Sequence, residues 1–390
     1  MGDIAKGALG GAWSLLVGWV LPTALNLAIL TTSLLPGLRK VPPFEHAAGL
    51  AERRGALAFL TASLMLGLVL NALQNPLYRI LEGYLLWPSL AYEYGCRRHQ
   101  TIRRCLTDRL LLMRLERRAA GASLSAIDRA DLTLLRHSPH LARYRNLDQR
   151  STVTRRALLQ ERLARYPVGD GHLAPTRLGN AIRRFEVYAY DRYQLDSQLL
   201  WNALTATAPE QARRQVDTAR TSVDFFVCLL YGHLAVLLAA AGTLMSTATG
   251  TPAAATTAVV LAALVPLWYP CAVSATDEWA AAVRALVNVG RHPLAASLGL
   301  DIPRELAAER TMWYLASRIP RMPYHEHAAA LDHYRRSPAP NRRRHDVKRW
   351  CRSGTPARPA MQLTTFGRRV VTESEAALKS GDARLPPTGS

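Results

Sequence analysis

Long runs without a single charge divide this chain into apolar and polar stretches. Between Lys6 and Arg39 lie 32 uncharged residues, between Arg54 and Arg79 another 24, and between Asp224 and Asp277 a further 52. A helix needs about 20 apolar residues to cross ~30 Å of hydrocarbon. The first two runs each fit one crossing. The third is too long for one and divides at the small polar stretch Ser246–Thr257, which predicts spans near Phe225–Met245 and Ala258–Ala275. The first run also exceeds the roughly 7–15 apolar residues of a signal peptide and lacks a small-residue cleavage site after it, so a retained span is expected.

Between these runs the pattern is helical. Ile102, Leu106, Leu110 and Met113 fall on one face of a helix predicted over Tyr84–Met113, among arginines that point elsewhere. Ser125 and Ser151 each read as a helix start. Tyr166–Pro175 holds two prolines and two glycines and reads as a loop, after which Thr176 caps a helix over RLGNAIRRFEVYAYDRYQL. Glu210–Val223 and Asp277–Val289 look like helices continuous with the third and fourth spans. No alternating β-branched stretch appears. The expected fold class is all-α, with four transmembrane helices in two hairpins, a large helical cytoplasmic part and a disordered basic C-terminal tail. The boundaries fall at 1–78 for the first hairpin, 79–223 for the cytoplasmic domain, 224–276 for the second hairpin, 277–334 for C-terminal helices and 335–390 for the tail.

Composition changes this picture mainly through charge. The chain has 390 residues, 49% of them hydrophobic, and the mean hydropathy is −0.03 because apolar runs average against arginine-dense segments. These values exclude a disordered chain and a small disulfide scaffold. Lys+Arg 49 against Asp+Glu 29 gives +20. Residues 79–223 carry 25 arginines against 14 carboxylates, and the Ser246–Thr257 turn carries no charge. By the positive-inside tendency both basic parts and both termini are cytoplasmic, in a cell inner membrane. The loop Arg39–Arg54, with four cations, dissents, since parity places it outside. The five cysteines form no CxxC pair and suit a reduced state.

The first part of the tail, Arg335–Ala360, packs nine cations against Asp346. With so little apolar area it is expected to be disordered. Arg342, Arg343, Arg344, Lys348 and Arg349 are its candidate contacts to anionic lipid. It offers no folded element to read a nucleic-acid sequence, so no sequence-specific nucleic-acid partner is expected.

Candidate chemistry is sparse. There is no GxxxxGK[ST], GxGxxG after a strand, HExxH or GxSxG, which argues against nucleotide-driven pumps and serine hydrolases. His325, Glu326, His327, Asp332 and His333 form the one dense cluster of metal-capable residues. Helical spacing separates its histidines, so no metal and no cofactor is expected. His233 and Tyr231 put polar groups inside the third span, where a bond from His233 to a neighbouring helix or a functional role are the alternatives. Pro266 and Pro270 are expected to kink the fourth span. Asn71, Asn75, Arg79 and Glu82, spaced four, four and three, make a polar stripe along the second span and beyond it, provided Pro76 only bends that helix. Such a stripe suits either a pore lining or a hydrogen-bonded helix seam. Gly7, Gly10, Gly11 and Gly18 suggest a small-residue contact face in the first span.

The stretch Pro175-Thr-Arg-Leu-Gly-Asn180, the following FEVYAYDRYQLDSQLLW, and LQNPLYRILEGY after the second span together resemble a family of bacterial multi-pass membrane proteins that has no activity to carry over. That resemblance implies a membrane protein with a helical cytosolic part. The layout, though no motif, is similar to that of bestrophin-type anion channels. The expected function is an oligomeric channel or membrane-gating module with a cytoplasmic regulatory domain. Its rivals are a non-conducting scaffold or signalling protein that binds a cytoplasmic protein partner, and a membrane enzyme or carrier acting on a lipid or small molecule.

Overall fold

The first apolar run forms a helix, α1 (Gly11–Leu34), whose segments Leu16–Val20 and Leu30–Leu34 widen into π-helical turns. Pro22 and Pro36 follow them closely. A proline ring clashes with the carbonyl four residues back, here Gly18 and Thr32, and both of these lie in a widened turn that moves the carbonyl aside. The computed structural model describes residues 11–38, 42–121, 123–150, 152–245, 252–321 and 326–336. Helix α2 (Pro42–Ala72) includes most of the stretch expected to be a loop around Arg39–Arg54, and it kinks at Gly55, whose φ of 45° and ψ of −125° only glycine adopts cheaply.

The helix expected to run on from the second span is broken. Leu73 takes φ −87° and ψ 5°, and a separate helix α3 (Gln74–Glu82) follows. Pro76 is the cause, because its ring excludes the carbonyl of Ala72 from a continuous ladder. Gly83 (φ 92°) and Leu86 (φ 62°) then turn the chain, so α4 (Ser89–Ala119) starts five residues later than its periodicity predicts. Helices α5 (Ala126–His137), α6 (Pro139–Arg150) and α7 (Thr152–Ala164) pack on α4. Leu112, Leu115, Leu132 and Leu141 form the buried cluster between α4, α5 and α6. Ser125 caps α5, its Oγ accepting from the Asp128 N–H at 3.1 Å.

The loop before α8 (Arg177–Glu186) forms as expected, and Thr176 caps that helix through the Gly179 N–H at 3.0 Å. The predicted single helix breaks at Val187 into α8 and a short α9 (Tyr188–Tyr193), which Gln194 ends in a left-handed conformation. After α10 (Trp201–Thr207) come the two longest helices, α11 (Glu210–Met245) and α12 (Pro252–Ser297). At 36 and 46 residues they are about 54 and 69 Å long, well beyond a hydrocarbon core. Pro252–Thr257, expected in a turn, is the first stretch of α12, with proline at its favoured helix start. Pro266, Pro270 and Pro293 lie inside α12 without ending it. Helix α13 (Leu306–Arg318) and a 3₁₀ segment, Glu326–Tyr334, close the described chain, clasped by the Asp301 N–H to Tyr334 carbonyl bond at 2.8 Å.

The fold is all-helical, and no strand forms among the described residues. Four helices are long and apolar enough to cross a membrane: Gly11–Leu34, Gly55–Ala72, Glu210–Met245 and Pro252–Ser297. Leu34, Val236, Ala240, Ala254 and Leu261 pack between three of them, while Leu57, Leu60 and Val259 face outward and are exposed. An apolar outer surface of this kind suits lipid contact rather than water. A larger core holds the polar end of the molecule, with Leu178, Leu204, Leu286, Leu294 and Trp313 fully buried among α8 to α13. Ser151, Cys351, Thr372–Leu378 and the candidate lipid contacts Arg342, Arg343, Arg344, Lys348 and Arg349 lie outside the described residues.

Candidate functional site

The apolar part of α11 begins at Asp224, and this carboxylate is buried at 7% exposure. Burying a charge is costly unless it is paired and hydrogen-bonded. Tyr78 of α3 supplies the bond, its hydroxyl donating to Asp224 Oδ1 at 2.7 Å. Arg220, one turn earlier on α11, brings Nε to 3.9 Å from Asp224 Oδ2 and donates from Nη2 to Gln74 Oε1 at 3.0 Å. Tyr231 hydroxyl donates to the Leu77 carbonyl at 2.9 Å. Gln74, Leu77 and Tyr78 share one face of α3, so successive positions of that face are tied to α11. Trp279 of α12 meets the Tyr78 ring edge-on at 6.5 Å and lies under the Arg220 guanidinium at 5.9 Å. From α1, Gly18 approaches so closely that a Cβ there would stand 3.3 Å from Asp224 Cβ. Four segments, three of them span helices, therefore meet at one polar knot.

The stripe read from sequence lies beside this knot and is divided between two helices. Asn71 belongs to α2 and is half-buried, whereas Asn75 and Arg79 on α3 are exposed and Glu82 is half-buried. The break at Leu73 places Asn71 on a different helix from the other three, and the face of α3 that meets α11 is the adjacent one. Sequence reasoning used Asp224 only to mark where an apolar run begins. A carboxylate at that boundary, together with Arg220 four residues before it, was the available signal.

His233 is buried at 2% exposure and meets Trp268 edge-on at 5.7 Å. Its Nδ1 pairs with the Leu229 carbonyl at 3.0 Å, on its own helix rather than a neighbouring one. Of the glycine face proposed for α1, Gly18 packs tightly, a Cβ added to Gly11 would meet no other element within 4 Å among the described residues, and Gly7 and Gly10 lie outside those residues. The stretch expected to hold His327, Asp332 and His333 on an α-helix is a 3₁₀ segment, and His325 lies outside the described residues. Among the described residues no group of three metal-capable side chains is close enough to hold an ion.

Glu82 ends α3 beside Arg79, Arg183 and Glu186. Burial, and next the Glu186 charge, push its carboxyl up to about 7. A carboxyl raised in the folded state binds more protons there than in the unfolded chain, so its contribution to stability is lost as pH rises from about 4.5 to 7. His99 acts in the opposite sense. Burial, then the charges of Arg98 and Arg177, push its imidazole down to about 4, so its contribution is lost as pH falls from about 6.5 to 4. The two offset each other between about pH 4.5 and 6.5. Glu82→Gln should therefore raise the thermal midpoint at pH 8, by an equivalent of about 1–3 kcal/mol, and unmask a stability that climbs between pH 4.5 and 6.5. Midpoints of the detergent-purified protein across pH check this, and a parallel shift at every pH would show that Glu82 is not the group responsible.

Comparison with family models, with curated proteins and with solved structures finds no match for this chain.

Proposed function

We propose that this chain is a multi-pass membrane protein of the inner membrane that works as an oligomeric channel or membrane-gating module, with both termini and the helical part on the cytoplasmic side. The observation that carries the reading is the continuity of α11 and α12. Each leaves the apolar layer without a break and enters the polar core, and they pack against one another along the way. A displacement at the cytoplasmic end of such a rod is transmitted to its membrane end, because packed helices move as rigid bodies between discrete arrangements. The knot at Asp224 supports the same reading, since it links α3, α11 and α12 with α1 at the base of the spans. In this reading the basic tail rests on anionic lipid. The similarity of layout to bestrophin-type anion channels is compatible with it and adds no residue-level support.

Ion flux through purified, lipid-reconstituted protein tests the proposal, together with its oligomeric state. If the stripe lines a water-filled path in an oligomer, Asn71→Leu with Asn75→Leu leaves the oligomer intact and reduces flux by dewetting. Arg79→Glu then shifts the preference from anions toward cations. If the asparagines instead hydrogen-bond between subunits, the same leucines loosen the oligomer by about 0.6 kcal/mol per bond. Wild-type oligomers that pass no ions at any pH or voltage would remove the channel and leave the scaffold reading.

A further inference from the structure

Away from the spans, a cavity of about 730 Å³ opens between α4, α6, α7 and α8, floored by Val273 of α12. Its wall carries six arginines: Arg104 and Arg109 from α4, Arg143 from α6, Arg162 from α7, Arg165 just after it, and Arg177 at the start of α8. One carboxylate lines it, Asp108, and that group is engaged by His140 Nε2 at 3.1 Å. Arg165 is held by Asp277, with Nη2 at 2.6 Å, and by Glu161 at 2.8 Å. Arg104 reaches Asp170 at 3.7 Å. Arg143, Arg162 and Arg177 have no carboxylate partner among the described residues. Arg109, buried at 7% exposure, and Arg143 lie over the Tyr144 ring at 4.1 and 4.5 Å, which fixes the guanidinium planes beside the opening.

Six cations converge on this one concave space, and four of them, Arg104, Arg143, Arg162 and Arg177, are exposed and so within reach of an incoming ligand. Beside the cavity, His99 is held neutral by burial and then by the charges of Arg98 and Arg177, and its Nδ1 lies 2.9 Å from the hydroxyl of Tyr166, which lines the cavity. Guanidinium groups recognise phosphate oxygens through paired N–H donors. The volume falls in the range of small-ligand sites, roughly 300–1,000 Å³. We infer that the cavity is a binding site for a multiply charged, phosphate-bearing anion, either a free phosphorylated small molecule or the headgroup of an anionic phospholipid. Val273 and Asp277 lie at the end of the apolar run of α12, so the site is placed to serve either source. This inference does not depend on conduction.

The test uses the full-length protein in nanodiscs, with pyrophosphate as the soluble probe and phosphatidylglycerol as the lipid probe. Arg162 and Arg177 are both exposed, so Arg162→Gln with Arg177→Gln spares the core. Arg117→Gln with Arg129→Gln removes the same charge from surface positions outside the cavity. In phosphatidylcholine nanodiscs, calorimetric titration should give saturable pyrophosphate binding that weakens about tenfold per cavity arginine removed and changes little in the surface pair. A soluble ligand is indicated if phosphatidylglycerol in the disc leaves that affinity unchanged. A headgroup is indicated if phosphatidylglycerol competes with pyrophosphate and stays on the detergent-extracted wild type but not on the cavity variant. Absence of binding by both probes, or equal losses in the cavity and surface pairs, would overturn the assignment.

Discussion

Tyr78→Phe should destabilise the protein by about 2–3 kcal/mol, far more than the loss of one exposed hydroxyl. The hydroxyl removed is the 2.7 Å donor to a carboxylate that water barely reaches. Hydrogen bonds to charged groups contribute about 1.5–3 kcal/mol, and with the Tyr78 hydroxyl gone this buried carboxylate keeps only the Trp19 side chain as a close hydrogen-bond partner. Arg220 is too distant, at 3.9 Å, to take over as a close donor without moving off Gln74. Asp224→Asn should cost less, about 1 kcal/mol, because the amide oxygen still accepts from Tyr78 and only the weak ion pair is lost. Tyr78→Phe combined with Asp224→Leu should be less harmful than the sum of the single changes, since donor and acceptor leave together. Thermal unfolding of the four proteins in one detergent closes the double-mutant cycle. Strict additivity would mean that the two side chains do not stabilise one another. The same variants bear on function, because loosening α3 from α11 should weaken any influence of the cytoplasmic part on flux while leaving the spans in place.

The features that were legible in the sequence depend on local rules. The four apolar spans, the caps at Ser125 and Thr176, the loop over 166–175 and the continuation of both long helices all follow from the composition or spacing of neighbouring residues. The misses share a different origin. Periodicity carries across Leu73 because Asn71, Asn75 and Arg79 keep helical spacing, yet the Pro76 ring forbids the ladder there. It carries across Val187 as well, although the backbone there takes φ −83° and ψ −5° and α8 ends at Glu186. At Gly83–Pro88 the periodic pattern resumes before the chain has finished turning. The polar knot was hidden more deeply, since Tyr78 and Asp224 stand 146 residues apart and neither belongs to a motif. A partner at that separation is fixed by tertiary packing alone. The six arginines of the cavity were individually visible, but four separate segments bring them together.

The largest single effect is expected at Gly95, near the N-terminal end of α4. The loop before α8 drives Pro175 between α3 and α4, and the stretch Pro175-Thr-Arg-Leu-Gly-Asn180 is built to hold it there. Asn180 Nδ2 donates to the Ala174 and Thr176 carbonyls at 2.7 and 2.6 Å, and its Oδ1 accepts from the Ala174 N–H at 3.0 Å. Thr176 Oγ1 donates to the Glu82 carbonyl at 3.2 Å, which ties the wedge to the end of α3. A Cβ added to Gly95 would stand 2.6 Å from Pro175 Cβ, 2.7 Å from its carbonyl oxygen and 2.9 Å from its Cα. Two of those three atoms are backbone, in a segment fixed on both sides, so α4 must move away as a whole. Overpacking in a filled core costs about 1–3 kcal/mol and more where nothing yields, so Gly95→Ala should lose at least about 3 kcal/mol. Gly83→Ala clashes instead with the Pro175 ring and adds the cost of a side chain at φ 92°. The two glycines are thus separable by one second-site change. Pro175→Ala removes the ring and should restore much of the stability lost in Gly83→Ala, but little of that lost in Gly95→Ala, where the backbone oxygen and Cα remain. Thermal midpoints and the yield of monodisperse protein measure both. A Gly95→Ala protein with a wild-type midpoint would show that α4 and the wedge are not in contact as described, and equal rescue of both variants would place the clash on the ring alone.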